Sequence, residues 1–184
     1  QFWVHQQETQ NRFLIYQCDG NDSAWTRFAM RQSDLVVFIA NAQDDSTLTG
    51  WEKRLRDGKG ATTGRQALVL LQPASETVIT GTAQWLKERR ADFHLHVRAD
   101  KPDDIQRVAR VISGNALGLV LGGGGARGFA HLGVYKAILD LGITIDWVGG
   151  ASIGSIFAAP VASDWDYDKA YTIARHGFVK VKPF

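Results

Sequence analysis

Short apolar runs alternate along this chain with longer segments in which apolar residues recur at helical spacing. Six such runs predict β-strands, at residues 13–18, 35–40, 67–71, 93–97, 117–121 and 145–148. The run Leu35–Ala40 is unbroken, which is typical of a strand that a parallel sheet buries on both faces. The alternation of strand and helix signals predicts an α/β fold with a doubly wound, mainly parallel sheet in three layers, α/β/α.

Helix signals separate the predicted strands. Helices are predicted after the capping candidates Asp22 and Ser23, at residues 50–56, and at residues 80–90, where Thr80 is the predicted cap. A further helix is predicted from Pro102 to residue 112. The helix from Pro102 has the clearest apolar periodicity and is followed by the helix-ending sequence Ser-Gly-Asn. We therefore predict a boundary there, between an α/β region at residues 1–115 and a second region at 116–184. A polar segment at residues 59–64 is predicted to be a flexible loop.

The second region repeats one arrangement, a strand followed by a glycine turn and a helix. The fifth apolar run ends at four consecutive glycines, Gly122–Gly125 (the glycine loop), which precede Arg127 and Gly128. The sixth run ends at the sequence GASIG, Gly150–Gly154 (the serine elbow), and helix-forming residues follow it. Two glycine turns of this kind are suited to acyl-transfer chemistry.

The serine elbow has the form Gly-x-Ser-x-Gly. In such a turn the serine lies on a strained connection from strand to helix, and the small flanking residues let the backbone approach closely. Gly150 and Gly154 are those small residues, and Ser152 is the predicted nucleophile.

The glycine loop supplies backbone N–H groups that no Cβ atom obstructs, at the start of a helix. Such groups can hold an oxyanion or a phosphate. The candidate oxyanion donors are the amides of Gly123 and Gly124 in the loop and the amide of Ile153 in the elbow.

Nucleotide-binding interpretations of the glycines are less favoured. Residues 123–128 fit Gly-x-Gly-x-x-Gly, but the dinucleotide motif needs an acidic residue at the end of the next strand, and Asp146 precedes that end. A Walker loop needs Gly-Lys-Ser or Gly-Lys-Thr, whereas Gly125 is followed by Ala126 and Arg127.

The sequences GGGGARGFAHLGV and GGASIGS together resemble the start of the patatin-like phospholipase domain. The preceding segment LIYQCDGNDSAWTRFAMRQSDLVVFIA is similar to the region before the catalytic domain in the neuropathy target esterase branch of that family. The resemblance implies that Ser152 is the nucleophile and the glycine loop the oxyanion hole. It also implies that Arg127, followed by Gly128, steadies the loop or meets a phospholipid headgroup.

The resemblance further implies a serine esterase that acts on phospholipids or lysophospholipids through a Ser–Asp dyad, without a cofactor, at the cytoplasmic side of a membrane. The dyad aspartate of the family lies in an Asp-Gly motif well after the serine. The Asp-Gly pairs of this chain, at Asp19 and Asp57, precede Ser152. We therefore expect a fragment of a longer enzyme, with a catalytic part truncated after the elbow and without normal esterase activity of its own.

Two other functions stay open at this point. The chain can be a phosphate-, nucleotide- or protein-binding α/β module without catalysis; the first region also resembles the later part of a MinD or ParA type nucleotide-binding fold, although it has no Walker motif. It can also be a scaffold whose unpaired sheet edge promotes a homodimer.

Composition bears on three features: nucleic acid partners, disulfides and transmembrane helices. Lys and Arg total 21 against 19 Asp and Glu, so charge gives no reason to expect a nucleic acid partner. The single cysteine, Cys18, excludes an internal disulfide and is expected to be a buried strand thiol. No apolar stretch approaches the length of a transmembrane helix.

Several other residues carry weaker signals. His131 is a candidate general base for Ser152, but local packing or hydrogen bonding is the favoured interpretation. His94 and His96 have no nearby spacing that completes a metal site, so no metal is expected. Asp164, Asp166 and Asp168 are interpreted as a helix start, and Trp147 as a core residue.

Overall fold

The computed structural model of the chain describes residues 2–57, 64–75 and 78–180, and it divides into two compact units between residues 113 and 114. The first unit contains α1 (Phe2–Gln10), α2 (Ala24–Gln32), β1 (Leu35–Asn41), α3 (Gly50–Arg56), β2 (Arg65–Gln72), α4 (Thr82–Leu86), β3 (Phe93–Arg98) and α5 (Pro102–Ile112). The second contains β4 (Gly118–Leu121), a 3₁₀ turn (Gly125–Phe129), α6 (Ala130–Asp140), β5 (Trp147–Gly150), α7 (Ile153–Ala162), α8 (Tyr167–Arg175) and a π-helical turn (His176–Lys180).

The sheet of the first unit is parallel, in the order β1-β2-β3, and β2 is its buried centre. Side chains alternate between its two faces, as the pleat of a strand requires. Leu68 and Leu70 pack with Trp85 of α4 on one face, whereas Val69 packs with β3 and with Val108 of α5 on the other. Helices therefore cover both faces, and the predicted α/β class with parallel strands is confirmed.

A buried ion pair ties α3 to the segment after α4. Thr49 and Glu52 form a reciprocal capping box at the start of α3, because the Thr49 amide donates to Glu52 Oε2 (2.8 Å) and the Glu52 amide donates to Thr49 Oγ1 (3.4 Å). Arg89 donates from Nε to Glu52 Oε1 at 2.8 Å, and the two side chains are only 9% and 10% exposed. Arg89 also donates to the carbonyl oxygen of Ser46, so its guanidinium is well satisfied.

The Glu52 carboxylate is expected to make the stability of this unit depend on pH. Burial raises the pKa of Glu52, but hydrogen bonds from Arg89 and Thr49 outweigh it and hold the pKa below its ordinary value of 4.5. A lowered pKa means that Glu52 contributes stability above pH 4.5 and that this contribution disappears as the pH falls through the folded-state pKa. Denaturant unfolding should therefore show Glu52→Gln destabilised at pH 7, with a difference from the unmutated chain that shrinks in acid.

Glu88 provides a matched control for this titration. It pairs with Arg56 at the surface, where both side chains are 40% exposed or more. Surface ion pairs contribute little, so Glu88→Gln should change the unfolding free energy by less than about 1 kcal/mol at either pH. A Glu52→Gln effect that stays constant or grows toward acid would contradict the prediction.

The second unit contains a two-stranded parallel sheet that brings its two glycine turns to one edge. Leu119 lies opposite Val148, and Leu121, the last residue of β4, lies opposite Gly150, the last residue of β5. Its core joins Leu121, Leu132 of α6 and Phe157 of α7. Because the carboxyl ends of parallel strands meet at one edge, the glycine loop and the serine elbow emerge side by side.

The predicted strand at residues 13–18 is wrong. This segment has no regular secondary structure, and Ile15 is 86% exposed. Tyr16 instead packs edge-on against Trp25 and Phe28 of α2, with ring centroids 6.0 and 6.4 Å apart, and the indole N–H of Trp25 donates to the carbonyl oxygen of Gln17. The prediction of a buried strand thiol at Cys18 is wrong for the same reason, because Cys18 is exposed.

Other departures concern the ends and edges of elements. The helix predicted at 80–90 is limited to α4, and the residue before it is Gly81 in a left-handed conformation (φ 78°), so Thr80 is not its cap.

Ile39 is 66% exposed because β1 lies at an edge of its sheet among the described residues, and Trp147, predicted to be core, is 43% exposed. Of the loop predicted at 59–64, only Gly64 lies within the described residues.

Every helix in the described ranges is too short or too polar to cross a bilayer.

Candidate active site

Ser152 stands at the tip of a strained turn between β5 and α7. Its backbone angles are φ 53° and ψ −125°, and in the described part of the chain Asp164 is the one other non-glycine residue with positive φ. Such a conformation costs on the order of 1–3 kcal/mol and persists only where the surroundings impose it. Ser152 is exposed and occupies the N-cap position of α7, yet its side chain makes no capping hydrogen bond. Its hydroxyl is therefore not committed to holding the helix.

The glycines on either side of Ser152 are required by close backbone contacts. A Cβ atom on Gly150 would lie 2.4 Å from the carbonyl carbon and oxygen of Gly154. A Cβ atom on Gly154 would lie 2.2 Å from the carbonyl oxygen of Leu121 and 2.6 Å from that of Gly122. The second glycine thus lets the elbow pack directly on the end of β4. These contacts impose the strained turn at Ser152.

The glycine loop lies directly beside the serine. A Cβ atom on Gly123 would be 3.5 Å from Ser152 Cβ, which is ordinary van der Waals contact. Gly125 has φ 55°, and the Arg127 amide donates to the carbonyl oxygen of Gly124 at 3.2 Å, which closes the turn into the 3₁₀ segment. Gly128 is buried, and a Cβ atom there would lie 2.4 Å from Ile153 Cγ1, so loop and elbow interlock.

Several backbone donors at this edge remain available. Within the described residues, the amides of Gly123, Gly124 and Ile153 donate no hydrogen bond, whereas the next amides of α7, those of Gly154 and Ser155, donate to Ala151 and Ser152. The free amide of Ile153 also lies at the positive end of the α7 dipole. The three amides proposed from the sequence as oxyanion donors are therefore unpaired beside Ser152.

His131 lies in the first turn of α6 and hydrogen-bonds to the glycine loop. Its Nε2 is 2.9 Å from the carbonyl oxygen of Gly122, and its ring lies edge-on to Phe157 of α7 at 6.2 Å. The favoured interpretation of local packing and hydrogen bonding is confirmed. Among the described residues no side chain hydrogen-bonds to Ser152 Oγ.

The remaining candidates lie elsewhere. Arg127 is exposed, and no ion pair involves it in the ranges that the structure describes. Asp166 is the N-cap of α8 and accepts a hydrogen bond from the Lys169 amide at 2.7 Å, so the interpretation of this aspartate run as a helix start is confirmed. His96 contacts Gln72 and Thr82 through its two ring nitrogens. The described residues contain no group of three or more side chains placed to hold a metal ion.

Sequence reasoning did not specify two contacts at this site, although it expected local packing or hydrogen bonding of His131. One is the hydrogen bond from His131 to the loop, and the other is the hydrogen bond from Ser155 Oγ to the carbonyl oxygen of Ser152 (2.6 Å). The second follows the i to i−3 pattern of helical serines, so spacing alone could have suggested it. The first joins residues nine apart across a turn, and no periodicity indicates it.

Comparisons with known proteins cover both units. The model of the neuropathy target esterase family P-loop-like domain matches residues 1–114, and the patatin-like phospholipase model matches residues 119–179. The neuropathy target esterase sws of Drosophila melanogaster is 38% identical over 183 residues, which cover 85% of this chain and 13% of that protein. The human patatin-like phospholipase domain-containing protein 6 is 35% identical over 188 residues, which cover 88% of this chain and 14% of that protein.

The chain thus spans about one seventh or less of the length of these relatives. No solved structure matches it significantly. The first family model covers more than half of the chain, the second covers the loop and the elbow, and the relatives match across both units. The resemblance predicted from the motifs is confirmed, and the chain belongs to the neuropathy target esterase family of patatin-like phospholipases.

Proposed function

We propose that this chain carries the nucleophile and oxyanion hole of a serine esterase that hydrolyses acyl esters of phospholipids or lysophospholipids. The observation that carries the proposal is the conformation of Ser152, which is exposed and strained between β5 and α7 and lies next to Gly123. A non-glycine residue held at positive φ beside unpaired backbone amides is expected where chemistry needs a fixed nucleophile.

In this mechanism the Ser152 hydroxyl attacks the ester carbonyl. The negative charge that develops on the carbonyl oxygen is held by the amides of Gly123, Gly124 and Ile153, which have no competing acceptor among the described residues. The alcohol part of the lipid then leaves, and water hydrolyses the acyl-enzyme. The free donors need no rearrangement at the moment of attack.

The attack also needs an acceptor for the hydroxyl proton. No described side chain hydrogen-bonds to Ser152 Oγ, and His131 directs its Nε2 at a carbonyl oxygen. We propose that the proton is accepted by an aspartate that this chain does not contain, as in the Ser–Asp dyad that the family resemblance implies. Without it, this chain alone is expected to lack normal esterase turnover.

The relatives and Arg127 support the proposed substrate class. The human relative is named as a patatin-like phospholipase domain protein. The Arg127 side chain is exposed at the end of the glycine loop, and a guanidinium is well suited to the phosphate of a lipid headgroup. We therefore propose that the enzyme acts at a membrane surface. From the family resemblance we propose that this is the cytoplasmic side of the membrane.

We also propose that residues 1–115 and 116–184 form two domains.

A second candidate is a phosphate-binding module, because unpaired loop amides beside an exposed arginine also suit a phosphate. Under this hypothesis Ser152 carries out no chemistry, and the edge of the β4–β5 pair can recruit a second copy of the chain. Inorganic phosphate should then raise the melting temperature of the chain, and Ser152 should not react.

Mass spectrometry of the chain after exposure to a fluorophosphonate tests the proposal directly. We expect one adduct, on the peptide that contains Ser152, because a fluorophosphonate mimics the tetrahedral intermediate and uses the same amide donors. An adduct on another serine, or no adduct together with stabilisation by phosphate, would contradict the esterase proposal and favour the binding module.

A further inference from the structure

His131 contacts the glycine loop at a peptide group that contributes one of the proposed oxyanion donors. Its Nε2 lies 2.9 Å from the carbonyl oxygen of Gly122. That carbonyl belongs to the same peptide group as the N–H of Gly123, the loop residue at which an added Cβ atom would lie 3.5 Å from Ser152 Cβ. We infer that His131 is a positioning residue, which acts on Ser152 chemistry through the Gly122–Gly123 peptide.

Peptide geometry makes this connection rigid. A peptide group is planar and trans, so its C=O and N–H bonds point in opposite directions. A hydrogen bond that fixes the carbonyl of Gly122 therefore fixes the direction of the Gly123 N–H. Glycine has no side chain that could hold the loop in place, and its backbone dihedral angles vary more freely than those of any other residue. A hydrogen bond from outside the loop therefore restricts the backbone more here than it would in other sequences.

The same hydrogen bond strengthens the donor. Hydrogen bonds in a chain polarise one another, and a carbonyl that accepts a hydrogen bond makes the N–H of its own peptide a better donor. Electron density drawn toward the Gly122 oxygen leaves the Gly123 N–H more positive. His131 thus affects both the direction and the strength of this donor.

The contact also determines which ring nitrogen of His131 carries a proton. A carbonyl oxygen only accepts, so Nε2 must be protonated in the hydrogen-bonded state, and the neutral ring has its lone pair on Nδ1. Nε2 is therefore not a base for Ser152. The bond to Gly122 persists in both the neutral and the protonated ring, because Nε2 carries a proton in each.

The ring of His131 also packs against Phe157. Phe157 belongs to α7, the helix that begins at the serine elbow, and lies edge-on to the His131 ring at 6.2 Å. His131 therefore touches the glycine loop through a hydrogen bond and the elbow helix through packing. The two functions can be separated by substitution, because glutamine retains a donor near the position of Nε2 whereas phenylalanine retains only the ring.

NMR of the 184-residue chain tests the positioning role without any requirement for catalysis. Long-range ¹⁵N–¹H spectra of the His131 ring should show a proton on Nε2. In His131→Phe the resonance of the Gly123 amide proton should move upfield, and this proton should exchange faster with solvent. In His131→Gln its chemical shift and its exchange rate should stay near their original values. An Nε2 without a proton, or a Gly123 amide that is unchanged in His131→Phe, would overturn the inference.

The consequence for chemistry rests on the proposed esterase function and is measured separately, as the rate of fluorophosphonate labelling. We expect His131→Phe to label on the order of 10-fold more slowly, less than the 10²–10³ that loss of a whole oxyanion donor costs, and His131→Gln to approach the original rate. Equal labelling of all three chains would overturn the role in catalysis. If the unmutated chain does not label and is stabilised by phosphate, the esterase proposal fails, and the NMR result still decides whether His131 positions the loop.

Discussion

Replacement of Ser152 by alanine is expected to abolish fluorophosphonate labelling of the chain while leaving its fold intact. The substitution removes one exposed oxygen that no described hydrogen bond uses, so little stability should be lost. Removing the serine nucleophile of a hydrolase that has a complete set of partners lowers kcat by a factor on the order of 10⁶. Intact-mass measurement before and after labelling, with circular dichroism as the check on folding, measures the effect.

Ser155 provides the matched control. It lies three residues later on α7, is also exposed, and donates its hydroxyl to the carbonyl oxygen of Ser152 at 2.6 Å. Ser155→Ala should therefore retain the adduct, because its hydroxyl is engaged and its backbone is helical rather than strained. Labelling that survives in Ser152→Ala, or that disappears only in Ser155→Ala, would place the reactive hydroxyl elsewhere.

Replacement of Gly154 by alanine should destabilise the second unit by about 3 kcal/mol and abolish labelling. Overpacking typically costs about 1–3 kcal/mol, and the upper end is expected here because the obstructing atoms cannot move away. The added Cβ would meet the carbonyl oxygens of Leu121 and Gly122 at 2.2 and 2.6 Å. Both obstacles are backbone atoms at the end of β4, and no side-chain rotation relieves the overlap. The elbow must move away from the glycine loop, which separates Ser152 from its proposed oxyanion donors.

Hydrogen exchange measured by mass spectrometry reports this effect within the second unit alone, from peptides of α6 and α7. Gly133 of α6 is the matched control, since a Cβ atom there meets nothing within 4 Å. Gly133→Ala should stabilise its helix by roughly 0.5–1 kcal/mol, because alanine restricts the unfolded chain more than glycine does. A Gly154→Ala chain with exchange and labelling like the unmutated chain would contradict the proposed close packing of elbow and loop.

Much of the fold could be predicted because its signals are local. The strands at Leu35–Asn41, Arg65–Gln72 and Phe93–Arg98 follow from unbroken or alternating apolar runs, and α5 follows from its proline start and helical period. Ser23 is the N-cap of α2 and accepts a hydrogen bond from the Thr26 amide, as its residue type and position indicated. Each of these outcomes depends on neighbours within a few positions in the chain.

The errors have a different cause. Residues 13–18 are as apolar as a strand but pair with no strand among the described residues, and the contacts of Tyr16 with α2 replace the predicted pairing. Trp147 follows a strand pattern and is nevertheless half-exposed, because β5 pairs on one side only within the described residues. An apolar run indicates that a side chain can be buried, but burial itself requires a partner that the local sequence does not specify.

The sequence by itself determined the candidate nucleophile and its two glycine turns, because the absence of a Cβ atom and the small residues around Ser152 are properties of residue type. Only the tertiary structure decided that the two turns meet, that Gly154 packs on the carbonyl oxygens of Leu121 and Gly122, and that His131 reaches the loop. These contacts depend on the register of β4 with β5, in which Leu121 lies opposite Gly150. Strand register is set by the packing of whole elements, and no single motif contains it.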